Sequence, residues 1–430
     1  MTVPGYDSYS PMSSRLRFAI DALALLVSKA AFIGLRLAAL YLVARRADAA
    51  TFGAIALGMT IAEISRVVAD WGCDTLSLRK FSHPDRARAA AAFGWVVRLR
   101  VAASLVAMTL AAVVASFVVT LPSVTLLLMI SATAATSLWL NLGVNWLQAR
   151  ALLRPTSVAL TGIGALSLAA QLVIVAQGWS IEFQFGALLL GEALIVVLVL
   201  RLARRSMRGV AAYGEPVTLG TWFAEATPIA WAALIATAYT RFDQFYIAHF
   251  AGGETLGNYT LAARVLEPCA FVAAAFASTI YARTSGIIMG KYDIASAHGI
   301  ALRSLNGGLV LGLSMMLMVL LFSLYPMQHW LPTFSGAVPL ERIGSVMIIF
   351  RCINLSLTAL IQAAGAYVAI LRLTRFNLVL VPVLVVCGDR LAGVIGVAVG
   401  VALAEGINSA IQLRMFQGLY PRSVRQGVSV

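Results

Sequence analysis

Apolar runs of about twenty residues or more follow one another along this chain, and that recurrence restricts its fold more than any motif does. A helix needs about 20 apolar residues to cross the hydrocarbon core of a bilayer. The backbone finds no water to bond there, so spanning runs of this kind are helices. Of the 430 residues 60% are hydrophobic and 12% charged, against ~25% charged in an ordinary soluble domain. An all-α polytopic membrane protein is expected. The first run, 18–44, carries Lys29 and Arg36 on one helical face. A charge near the bilayer centre costs ~2.5–3.5 kcal/mol even on insertion scales, so such residues usually face a protein interior or a watery cavity.

Twelve spans are expected: 18–44, 53–71, 93–119, 122–147, 155–176, 185–200, 221–250, 256–282, 304–325, 343–364, 367–386 and 391–416. Lys and Arg concentrate in alternate connections, which places both termini on the cytoplasmic side. Arg45 and Arg46 break that pattern. The net charge of +14 arises mostly from the same bias. Its basic residues are scattered between spans, so nucleic acid is excluded as a partner. Ala47-Asp48-Ala49 resembles a signal-peptidase site, but the run before it is long and charged, so the first span is expected to be retained. Cys73, Cys269, Cys352 and Cys387 read as small apolar filler. The four histidines lack metal-ligand spacing, so neither a metal nor another cofactor is expected.

The chain repeats itself at an offset of 204 residues. Phe52-Gly53 answers to Leu256-Gly257, Leu57 to Leu261, Glu63 to Glu267 and Arg79 to Arg283. Span one precedes the first copy and span seven the second. Two six-helix bundles follow, 1–200 and 221–430, with a cytoplasmic linker at 201–220. Parallel repeats are a transporter device, with the substrate site between the halves. The segments Arg46–Gly53 (RADAATFG), GAIALG, Gly72–Arg79 (GCDTLSLR) and Leu256–Pro268 (LGNYTLAARVLEP) resemble signatures of the polysaccharide-transport branch of the MOP flippase superfamily.

That resemblance implies a MOP/MATE-like fold of two six-helix bundles around a central cavity. It implies a Wzx-type flippase that moves an undecaprenyl-diphosphate-linked oligosaccharide from the cytoplasmic to the outer leaflet by alternating access. The product would feed O-antigen, capsule or exopolysaccharide synthesis at a bacterial inner membrane. The partners implied are the lipid-linked oligosaccharide, membrane lipids, and a polymerase and chain-length regulator of the same pathway.

Such cargo needs a hydrated, cationic compartment for its diphosphate. Arginine suits phosphate oxygens because its planar fork binds them bidentately. Lys29, Arg36 and Arg241 are the first candidates, joined by Arg66, Arg264 and Arg351. The alternative is that they snorkel or neutralise helix ends and nearby acids. Glu63 with Arg66, and Arg264 with Glu267, are three apart and form mirrored pairs. These are structural ion pairs, or else Glu63 and Glu267, with Asp243, carry the proton or sodium ion that drives transport. Asn141 and Asn145 bind sugar hydroxyls or bridge helices. Arg98 and Arg100, at the start of the third span, are interfacial anchors or a first docking point for the diphosphate. Glu192, Glu225 and Glu405 read as isolated structural acids.

A glycan polymerase or glycosyltransferase would need a sizeable outside loop or soluble domain. The longest outside loop, 326–344, holds one acid, Glu341, and no catalytic constellation appears, so no enzyme is expected. An ion-coupled multidrug exporter of the same superfamily would prefer acidic and aromatic walls. The sign of the central cavity separates it from a flippase.

Overall fold

Asp48 starts the first complete helix, because its carboxylate accepts the Thr51 amide at 2.6 Å and so caps the N-terminus. The computed structural model describes residues 34–35, 37–83, 85–150, 152–210, 218–286, 294–324 and 329–419. Lys29 and Arg36 lie outside the described residues. These residues hold helices and no strand. After a helical stretch ending at 44, the elements are α1 (Ala49–Asp70), α2 (Cys73–Phe81), α3 (Arg86–Val118), α4 (Val124–Ala149), α5 (Leu153–Ala176) and α6 (Ile181–Ser206). Then come α7 (Leu219–Thr240), α8 (Phe242–Phe250), α9 (Gly253–Gly286), α10 (Ile294–Leu324), α11 (Ala337–Ala363) and α12 (Tyr367–Leu419). Nine helices among the described residues are long and apolar enough to cross a membrane.

The faces sort as a bilayer demands. On α3, Ser104, Ala107, Ala111 and Ala115 are buried, while Leu105, Val106, Val113 and Phe117 are exposed. The small residues recur at helical spacing, so one narrow stripe lets neighbouring backbones approach while the bulky side chains meet lipid. α3, α4 and α6 pack in succession, and α9, α10, α11 and α12 do the same. α1 joins the two groups by packing on α3 and α4 and also on α9.

The contact of α1 with α9 falls on the repeat. A Cβ on Gly257 would lie 1.9 Å from the Ala49 carbonyl oxygen, and one on Gly53 would lie 2.8 Å from the Gly257 nitrogen. The two glycines are the pair related by the 204-residue offset. Only glycine allows this backbone-on-backbone crossing. Phe52 and Phe334, edge to face with centroids 5.4 Å apart, are fully buried in the same core.

Several boundaries differ from the sequence reading, the largest at α10, which begins at Ile294 and not at 304, and three others carry a structural reason. The expected span 221–250 is broken at Arg241, whose φ of −116° and ψ of 0° leave the helix between α7 and α8. The third span starts at Arg86 because the Asp85 carboxylate accepts the Ala87 amide at 2.8 Å. Arg98 and Arg100 therefore lie several turns inside α3. The last two spans are one helical element, interrupted at Ala392 and Gly393 and not at Gly388-Asp389. The chain doubles back there. A Cβ on Gly388 would lie 2.1 Å from the Gly396 carbonyl oxygen, so these glycines form the hairpin's contact and not its bend. Arg46, which breaks the basic-inside pattern, donates to the Trp179 carbonyl.

Gly162 on α5 has open space where its Cβ would stand, so Gly162→Ala should gain up to about 1 kcal/mol of helix propensity. Gly257→Ala should instead lose about 1–3 kcal/mol to overpacking. Thermal unfolding in detergent reads the difference; equal stabilisation of both variants would mean that α1 and α9 do not touch at this crossing.

Candidate functional site

Inside the crossing of α1 and α9 lies a cavity of about 610 Å³. Its charged wall is made by Glu63 and Arg66 on α1, Arg241 at the α7–α8 break, Arg264 and Glu267 on α9, and Arg351 on α11. Leu37 and Leu40, from the helical stretch before α1, close one side. Thr133, Ser137 and Asn141 on α4 add polar groups.

Arg241 sits at the centre. Its Nη2 donates to Glu63 at 2.7 Å, and its Nη1 lies 3.8 Å from Glu267. Glu267 in turn accepts from Arg264 at 2.8 Å. Glu63 and Glu267 are thus the repeat-related carboxylates, and one guanidinium bridges them. The residue that reaches both is the one at which the helix breaks. The expected pairing of Glu63 with Arg66 is replaced: Glu63 takes Arg241, and Arg66 leans on Asp74 at 3.6 Å. The expected pair of Arg264 with Glu267 does form. Arg351 lies 3.6 Å from Glu405, which also accepts from Asn354 at 2.6 Å, so Glu405 is not an isolated acid. Glu225 is likewise paired, with Lys80 at 3.1 Å and with Arg79.

Asp243 stands beside the cavity and does not line it. It is buried, accepting from the Tyr259 hydroxyl and, at 2.8 Å, from the Gln244 amide. Asn141 lines the cavity but donates to Asp74 at 2.7 Å. Asn145 donates to the Asp74 backbone oxygen at 3.1 Å and lies outside the cavity wall. Its role in the structure is to hold α2 against α4.

Arg100 is neither an interfacial anchor nor a docking point. Only 1% exposed, it donates to Asp70 at 2.6 Å and also to Asp74. Burial pushes the Asp74 carboxyl up, against the downward pull of Arg100. Arg66, at the cavity, and Arg100, in the interior, therefore share one carboxylate.

Two wall residues escaped the sequence reading. Gln171 on α5 and Gln184 on α6 are buried at the cavity, and among the described residues both side-chain amide nitrogens lack a hydrogen-bond partner. A lone amide inside an apolar run was the available signal, since such groups rarely go unpaired when buried.

Residues 42–298 match the family profile described as polysaccharide biosynthesis protein. The chain belongs to that family. Its fold is that of the MOP-superfamily transporters. The lipid II flippase MurJ in its inward closed conformation superposes with a TM-score of 0.70 at 11% identity, over 94% of this chain and 87% of that one. The MATE multidrug transporter DinF-BH gives 0.66 at 13% identity, over 92% and 96%. An inward-facing multidrug resistance MATE family transporter of the MOP superfamily gives 0.63 at 14%, over 94% and 96%. No curated protein matches the chain in sequence. With nine described helices long and apolar enough to span a bilayer, the chain is a multi-pass membrane protein.

Removing Arg100 would leave two carboxylates without their buried counter-charge. Arg100→Ala is expected to cost about 3–5 kcal/mol, and the triple variant with Asp70→Asn and Asp74→Asn should recover much of it. Thermal unfolding of both proteins in detergent measures this; an Arg100→Ala protein as stable as wild type would refute the buried pairing.

Proposed function

We propose that this protein flips a lipid-diphosphate-linked oligosaccharide from the cytoplasmic to the outer leaflet by alternating access. The observation that carries the reading is the charge of the cavity wall, which holds four guanidiniums, of Arg66, Arg241, Arg264 and Arg351, against two carboxylates. A net cationic compartment of ~300–1,000 Å³ suits a small polar head group. It leaves no room for a long isoprenoid tail, which stays in lipid.

The guanidiniums are held by carboxylates at rest, so a diphosphate must compete with Glu63 and Glu267 for Arg241 and Arg264. Protonation of those carboxylates, or a cation beside them, releases the arginines to the phosphates. Glu63 and Glu267 thereby link anion binding to a proton or sodium gradient, with Asp243 as a buried neighbour. Asn141, Gln171 and Gln184 offer amides to sugar hydroxyls. Lys29 and Arg36, read from the sequence on the first span, are proposed as further cations for the diphosphate. The moving units are the bundles 1–200 and 221–430, joined by 201–220, and the Gly53–Gly257 crossing seals their outer side. Both termini face the cytoplasm of a bacterial inner membrane, where a polymerase and chain-length regulator take up the product. The net positive wall argues against a cationic drug as cargo, and the reading is of transport without covalent chemistry.

Arg241→Gln combined with Arg264→Gln should lower flipping of a fluorescent lipid-diphosphate-linked sugar in proteoliposomes about ten-fold or more, since each loses a charge-assisted fork on phosphate. Membrane insertion should be normal. Wild-type flipping by that double variant would sink the reading.

A further inference from the structure

Behind the cavity wall, two carboxylates share two guanidiniums. Asp74 lies in the first turn of α2, and Asp70 ends α1. Arg100, on α3, donates to both, at 2.6 Å to Asp70. Arg66, which lines the cavity, is the second cation, 3.6 Å from Oδ2 of Asp74. The same oxygen accepts from Asn141, another cavity residue, at 2.7 Å. The two acids are near enough for the Asp74 amide to donate to Asp70 at 3.2 Å. Asp74 thus meets two residues of the wall without lining it.

Among the described residues the charges that face Asp74 are Arg66 and Asp70 on α1 and Arg100 on α3. α4 brings the neutral Asn141 and Asn145. α7 brings Trp222, which donates to Cys73 at 3.2 Å, and Glu225, which is taken by Lys80 and Arg79. The four charges of the group balance, two against two. An anion on Arg66 upsets that balance, because it replaces Asp74 as the partner of the guanidinium. Two carboxylates are then left with Arg100, and neighbouring like charges resist being ionised together. Burial already pushes the Asp74 carboxyl up against the pull of Arg100, and the charge of Asp70 adds to the push. Of the two acids Asp74 is the one that loses a partner. Its side chain is also the more open, 21% exposed against 10% for Asp70. Asn141 serves either state. Its amide donates to the carboxylate, and turned over it offers its oxygen to a protonated acid.

We propose that Asp74 takes up a proton when an anion binds Arg66, which makes it a proton site of this chain separate from Glu63 and Glu267. The inference rests on the reading that the cavity receives an anion. Binding and protonation are then linked in both directions. A falling pH strengthens the hold of Arg66 on an anion. A pH above the range in which Asp74 titrates leaves the guanidinium with its carboxylate. An anion that arrives with a proton adds less net charge to a membrane interior, where charge is costly. Asp74 is a positioning residue in this account, since it touches no cargo and acts through Arg66.

The test is infrared difference spectroscopy on the full chain in detergent, over a series of pH values. The probe is sulfate, an anion that keeps its charge across that series, and its binding is followed separately by thermal stabilisation. In the wild type, sulfate should raise the C=O band of a protonated carboxyl. Its affinity should fall by up to about ten-fold per pH unit as pH rises through the linked range. Asp74→Asn should lose the band and flatten the slope. Arg66→Gln should lose the band too, because the acid then holds its proton beforehand and sulfate adds none. That variant leaves the pairs of Arg100 in place and serves if Asp74→Asn does not fold. The double variant of Glu63→Gln with Glu267→Gln should keep the band. Sulfate bound without the band, a band that survives in either single variant, or its loss from the double variant would overturn the inference and leave the reading of the cavity standing. A wild-type protein that binds no sulfate would overturn both.

Discussion

A charge inside a membrane protein must find its opposite, and here Arg241 is where that requirement converges. Its fork reaches carboxylates of two helices that the sequence repeat relates to each other, Glu63 on α1 and Glu267 on α9. These pairs are only half-buried, at the edge of a polar cavity, so each adds little net stability. They hold the helices in register. Helix geometry stops at Arg241, the residue whose side chain spans both partners. Through Arg66 and Asp74 the charges continue to Arg100 and Asp70 in the interior. Cavity wall and core are thus parts of one electrostatic arrangement.

The glycine crossing supplies what the charges cannot. Gly53 and Gly257 bring two backbones into contact, so α1 and α9 diverge from a fixed point and open the cavity further along. The same device recurs in α12, where Gly388 meets Gly396 across the hairpin. Dry, close contacts at one level and paired charges at another let two groups of helices enclose a polar space in an apolar solvent. An anion entering that space exchanges one set of charge-assisted bonds for another, a modest step compared with creating the bonds anew.

Much of this was legible in the residues, for physical reasons. The bilayer tolerates few departures from long apolar helices, so the described spans from the second onward could be found from the sequence, although α3 and α10 begin well before the expected starts at 93 and 304. The 204-residue offset marked Glu63, Glu267, Gly53 and Gly257 together, although their meeting in space could not be read from spacing alone. Helical spacing suggested Glu63 with Arg66, and the structure prefers a partner 178 residues away. Arg100 misled in the same way. Near the start of an apolar run it looks interfacial, and only the fold brings Asp70 and Asp74 to it. Capping moved the start of α3, because Asp85 could hold the Ala87 amide. Gln171 and Gln184 went unnoticed because a neutral amide in an apolar run costs little enough to pass as filler.

The central claim is that the arginines between the repeat-related helices receive an anionic head group. A structure of the full chain in a lipid nanodisc, saturated with a lipid-diphosphate-linked sugar, tests it most directly. The account predicts phosphate oxygens at about 2.7–2.9 Å from the guanidiniums of Arg241 and Arg264, with those arginines drawn off Glu63 and Glu267 and the isoprenoid tail in the bilayer. A head group bound elsewhere, with the four-residue ion network intact, would contradict it.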